Sequence, residues 1–146
     1  MIYKENLETT GRLNITVFNG DGNIKNSIHV DNLVVTTGRE WLADRVLNTP
    51  ATMTHMATGT GTTTQVLADT ALETELARVP LVSSSRLDNT VTFTATFNAG
   101  VSTGSLTEAG ILNAATSGTM LCRTTFPVIN LQAADSISIT WTITIS

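Results

Sequence analysis

The most regular alternation in the chain lies near its carboxy-terminal end. Ile137, Ile139, Trp141, Ile143 and Ile145 occupy every second position, with Ser138, Thr140, Thr142 and Thr144 between them. Successive side chains of a strand point to opposite faces, so this pattern predicts a β-strand with its large residues on one side. The same period recurs at Val91, Phe93, Ala95 and Phe97, set against Thr92, Thr94 and Thr96, and at Leu13, Ile15 and Val17. Asn19-Gly20-Asp21-Gly22 follows, and the apolar pattern resumes over residues 24–30. Asn-Gly and Asp-Gly supply the positive φ that a tight hairpin needs, which predicts a β-hairpin over residues 13–30. Residues 98–100 close the strand at 91–97. Residues 106–112 and 120–126 read as two more strands with a small-residue turn at 114–118. From Leu81 onward everything reads as strand.

Two segments depart from this period. After Leu33-Val34-Val35, Thr37 and Glu40 have the spacing of a capping box, and Trp41, Leu42, Arg45 and Val46 share one side of a short helix. Trp41 is expected to anchor that helix in the core. Further on, Leu72, Leu76 and Val79 are spaced by four and three, with Asp69 or Thr70 as cap and Pro80 as stop, which fits a helix of about two turns. An extended arm is the competing reading, because so short a helix has little stability without packing. Between the two segments, residues 53–70 have no clear period, and Gly59 and Gly61 inside a threonine run suggest a loop at a sheet's rim. The expected architecture is all-β, a two-layer antiparallel sandwich of jelly-roll type with seven or eight strands and one or two short helices. One domain covers residues 11–146, and residues 1–10 are expected as an arm, since alternation begins only at Leu13.

Composition sharpens this picture. Threonine makes up about a fifth of the 146 residues and only 14% are charged, so hydroxyls and amides rather than charges form the surface. A surface of that kind suits a protein covered by neighbours. The net charge is -4 with no cluster of Lys or Arg, which argues against a phosphate-tracking groove and hence against nucleic acid as partner. No apolar run approaches a membrane span, and the opening residues MIYKENLETTG lack the apolar core of a secretion signal. A cytoplasmic folding environment is expected.

Candidate chemistry is sparse. An acid–base pair would join Glu108 to Asp69, Glu73 or Glu75, and each of these acids also reads as a sheet-edge or helix-surface group. Cys122 stands beside Arg123, but neighbours in a strand face opposite ways; Cys122 is expected to share a face with Met120 and Thr124 as a small core residue. His29 and His55 stand apart, with no ligand spacing around them, so neither a metal nor another cofactor is expected. The GTGTT stretch matches no phosphate-loop pattern, and no nucleophile elbow occurs. The chain does not read as an enzyme.

Four segments together carry a resemblance: NLVVTTGREWLADRV at 32–46, HMATGTGTTTQVLADTALETELAR at 55–78, LTEAGILNAATSGTMLCRTTFPVINL at 106–131 and ADSISITWTITI at 134–145. In this combination the chain resembles small virion structural proteins of tailed bacteriophages, of the tail-fibre, baseplate-attachment and minor structural kind. The order of motifs is similar to that of attachment domains: a Gly-Thr loop at residues 59–63, an acidic T-x-L-x-x-E stretch from Thr70 ending in Arg78, a T-E-x-G strand at 107–111, a turn and another strand. The resemblance implies a non-enzymatic, oligomeric tail adaptor, baseplate or fibre-associated subunit. It would be a trimer or ring, folded in the bacterial host cytoplasm and carried in the virion. Its partners would be itself and other virion proteins, of the tail and baseplate or the major capsid protein. A head decoration protein clamping the capsid, and a carbohydrate-binding sandwich module, are the alternatives. The residues expected to serve assembly are Gly59, Thr60, Gly61, Arg78, Glu108 and Arg123. Of these, Glu108 beside Gly110 would fix a strand crossing, with Arg78 or Arg123 as its partner.

Overall fold

A computed structural model describes residues 5–146. Among them, nine strands and one helix follow in the order β1 (Thr9–Phe18), β2 (Ile24–Val34), α1 (Thr36–Leu47), β3 (His55–Gly59), β4 (Glu75–Pro80), β5 (Ser83–Leu87), β6 (Thr90–Phe97), β7 (Gly104–Leu112), β8 (Met120–Leu131) and β9 (Ser136–Ile145). The strands pair antiparallel in the order β4-β3-β7-β8-β2-β1-β9-β6-β5. The all-β expectation holds at this level: a curled antiparallel sheet, resembling a half-barrel, with one helix. The arm expected at residues 1–10 falls partly outside the described residues. Thr9 and Thr10 belong to β1, opposite Ile145 and Thr144.

The long strand β2 joins the two parts of the curled sheet. β2 pairs with β1 through Asn32 and then, at Leu33 and Val34, with β8. It thereby joins a first limb, β5-β6-β9-β1, to a second, β8-β7-β3-β4. At the other end β4 runs into β5 across only Leu81 and Val82, although the two strands lie at opposite ends of the strand order. The Leu81 N–H donates to the Thr54 carbonyl at 2.9 Å and the Val82 N–H to the Thr94 carbonyl at 2.7 Å, so the two limbs meet there as well. Strands that bend between two parts of a sheet let it enclose a core without a long crossover.

The first limb follows the alternation of the sequence. Leu13, Ile15, Phe97, Ile137, Ile139 and Trp141 are fully buried on its concave face, with hydroxyl-bearing residues on the convex one. Each such apolar side chain contributes roughly 1.5–3 kcal/mol of burial free energy. Met56, Leu106, Ile111, Phe126 and Ile129 meet them from the second limb. The hairpin at residues 13–30 forms as expected, its turn closed by Gly22 at φ 81°.

Several expectations fail on the second limb. The helix proposed from Asp69 or Thr70 to Pro80 does not form: residues 75–80 are strand β4, paired with β3, and Pro80 ends an edge strand where no ladder donor is needed. The aperiodic stretch at 53–70 contains β3, which brings the strand count to nine. Met120 does not share a face with Cys122 and Thr124. The β7–β8 register shifts at Leu121, so Leu112 pairs with Met120 but Ile111 with Cys122. One extra residue in a strand reverses which face its neighbours occupy.

The capping box is absent too. Val35 occupies the N-cap position of α1 without a side-chain bond, and the Thr37 hydroxyl instead donates to the Met120 carbonyl at 2.8 Å. The helix rests on β8 through Gly38, its only buried residue, where a Cβ would lie 2.0 Å from the Leu121 carbonyl oxygen. Trp41 packs against the main core, as does Leu42, but without full burial. It is half-buried at the rim, donating from Nε1 to the Ala51 carbonyl at 2.9 Å, with the Arg45 guanidinium 5.8 Å from its ring centre.

Candidate functional site

The convex face of the second limb is covered, unlike that of the first. Ala57, Leu112 and Met120 form a small second core there with Val35 and Leu72, beneath residues 60–74, which connect β3 to β4. A connection of this length without secondary structure is uncommon in a compact domain and needs dedicated anchors. One pair of charged side chains supplies them.

Glu108, on β7, is 0% exposed. Its Oε1 accepts the backbone N–H groups of Gly61 at 3.0 Å and Thr74 at 2.8 Å, and its Oε2 accepts that of Glu73 at 3.0 Å. Arg123, on β8 and 1% exposed, donates from Nε to the same Oε2 at 3.0 Å. Its remaining nitrogens reach Asp69 Oδ2 at 2.9 Å and the Thr63 carbonyl at 2.9 Å. A carboxylate offers about four acceptor positions, and four N–H groups fill those of Glu108. A buried ion pair is tolerated only when its hydrogen-bonding capacity is met in this way.

Weaker bonds complete the fastening. Glu73 Oε2 accepts the Thr63 N–H at 2.9 Å, and the Thr63 hydroxyl and N–H hold the Glu73 carboxyl below the usual carboxylate range. The Thr107 hydroxyl donates to the Gly61 carbonyl at 2.7 Å, and both the N–H and the hydroxyl of Thr125 donate to Gln65 Oε1. The chain must pass very close to Glu108 for this to occur. A Cβ at Gly61 would lie 2.5 Å from that of Glu73 and 2.6 Å from Glu108 Oε1, so only glycine fits.

The six residues singled out from sequence thus fall into two groups. Gly59, Gly61, Glu108 and Arg123 converge in this latch, and Thr60 joins it by donating its N–H to the Thr74 carbonyl at 2.9 Å. Of the two arginines considered for Glu108, Arg123 is the partner. Arg78 lies elsewhere: it forms a bidentate pair with Glu75 and donates to the carbonyls of Ala114 at 2.9 Å and Ser117 at 2.8 Å, tying β4 to the β7–β8 turn. Thr63, Gln65 and Thr107 were missed. Asp69 was expected as an acid–base partner or a helix cap, and Glu73 as an acid–base partner. The available signal was Arg123 itself, a charge inside the apolar run MLCRTTF, which requires buried acceptors supplied from elsewhere in the chain.

The other titratable groups are scattered. Burial pushes the Cys122 thiol well up, which leaves it a core residue without thiolate character. His29 bonds Asn14, and His55 bonds Thr54. No group of three His, Cys, Asp or Glu among the described residues could hold a metal ion, and no helix among them is long and apolar enough to cross a membrane. No protein-family model, curated protein or solved structure matches the chain.

Proposed function

We propose that this chain is a structural subunit of a tailed-bacteriophage virion, an oligomeric tail adaptor, baseplate or fibre-associated protein that acts by assembly rather than by catalysis. The observation that carries the reading is the latch. The two longest segments of the phage resemblance, 55–78 and 106–131, supply every residue of it, and its charges are directed at fixing backbone. Glu108, the acid common to every acid–base pair considered from the sequence, has its acceptor positions filled from within the chain. A part that must hold its shape in a particle uses buried charge in this manner. In the same reading, the two limbs are the layers of a jelly-roll-like sandwich. A glycan-binding reading has less support, since Trp141 is fully buried and Trp41 lies against Arg45.

Cryo-electron microscopy of the virion whose genome encodes this sequence tests the proposal. Ring-like density at the tail, neck or baseplate that accepts this chain is the expected result. Density over the capsid lattice would replace the tail position with the decoration role. Absence of its peptides from purified virions would overturn the virion reading.

A further inference from the structure

The helix α1 is twelve residues long and buries only Gly38. A helix of that length is marginal in water unless an apolar face is covered, and the half-buried Trp41 and Leu42 meet the core while the side chains toward its end do not. Arg39, Leu42 and Val46, spaced three and four apart, form one stripe along it. Beside this stripe, Leu7 and Ile145 complete a groove of about 620 Å³ between the helix and the paired ends of β1 and β9. Val46 is 90% exposed, Leu47 86% and Leu7 81%, the three highest values for large apolar side chains among the described residues. Chance exposure of single apolar residues is ordinary, whereas two of the most exposed, Leu7 and Val46, lining one apolar hollow mark a contact surface.

We infer that this face is a contact between two copies of the chain related by a twofold axis, with α1 of one packed antiparallel against α1 of the other. A twofold contact uses the same patch twice, so the patch must be complementary to itself. This one carries both halves of the fit. Val46, 90% exposed near the end of the helix, is the projecting side chain, and the hollow beside Leu42 and Leu7 receives it. The groove is also lined by one acid and one base, Glu8 and Arg39. Antiparallel packing brings Arg39 of each copy toward Glu8 of the other. An unrelated partner would have no need of both shapes and both signs in one patch. The inference goes beyond the assembly reading: it rests on the groove and is independent of that reading and of where in a virion the chain is placed.

Sedimentation equilibrium of the full chain, from micromolar to near-millimolar concentration, tests it apart from any virion. The expected result is a monomer–dimer equilibrium that Val46→Glu weakens roughly a hundredfold, by burying an unpaired charge at the contact. Val46 is so exposed that this variant should keep the wild-type circular dichroism and, at concentrations where both are monomeric, the wild-type melting curve. Arg39→Glu should also weaken the dimer, and adding Glu8→Arg should restore it. A monomer at every concentration, or a dimer indifferent to Val46→Glu, would overturn the inference. A trimer would contradict the twofold operator.

Discussion

The two limbs of the sheet are built from the same kinds of residue and stabilised in different ways. The first has one dry face and one wet face, and a layer of Ile, Leu, Phe and Trp on the dry face holds it. The second is buried on both faces for much of its length, and its outer cover is a loop that places Leu72 in a small core and is fastened by Glu108 and Arg123. Non-directional burial tolerates small changes of shape, whereas a saturated ion pair depends on every partner being present. The second limb should therefore fail sharply under single substitutions that the first would absorb.

The largest difference is expected for Glu108→Ala, which leaves the Arg123 guanidinium buried without its main partner. A loss of about 3–5 kcal/mol in urea denaturation is predicted, against a change within about 0.5 kcal/mol for Thr142→Ala on the convex face of the first limb. Equal losses would erase the distinction. Gly61→Ala should come next, at about 1–3 kcal/mol, because the new methyl must displace Glu73 or the Glu108 carboxylate. Ile139→Val in the first limb should cost only about 0.5–1.5 kcal/mol.

The smallest effect is common to both limbs and depends on pH. Asp135, before β9, is held below the usual carboxylate range by Lys25, which donates to Oδ2 at 2.6 Å, and by the Gln132 N–H. Glu73 is lowered in the second limb. For both groups the unfolded chain binds protons more readily than the folded one. Their contribution is therefore complete above the ordinary carboxylate pKa, about 4, and is lost as pH falls through the lower folded values. Asp135→Asn and Glu73→Gln should each flatten the acid side of a stability–pH curve. Curves that superimpose on wild type would remove the assignment.

The same contrast explains what could be read in the sequence. Strands β1, β6 and β9 were legible because one wet face preserves the alternation of Thr with Ile, Phe and Trp. On β7 and β8 both faces are covered, so Gly110, Ile111 and Leu112 are buried in succession and the period disappears. The bulge at Leu121 then moved Met120 to the face opposite the expected one. Spacing of Leu72, Leu76 and Val79 imitated a helix, but Leu72 covers the outer face at Gly110 while Val79 pairs with Met56 in an edge strand. Glu108 and Gly61 could be chosen from the sequence as an acid and a glycine in suggestive places. Their meeting across 47 residues depends on the β3–β7 pairing, which local pattern does not encode.

Native-state hydrogen exchange of the Gly61, Glu73 and Thr74 amides, in wild type and Glu108→Gln, reaches the latch itself. If Glu108 fastens residues 60–74, these three amides are protected in the wild type. In the variant they exchange far faster, while those of β1, β6 and β9 keep their protection. Protection of the three amides that survives the substitution, or that falls equally across both limbs, would show that the loop is held by something other than this carboxylate.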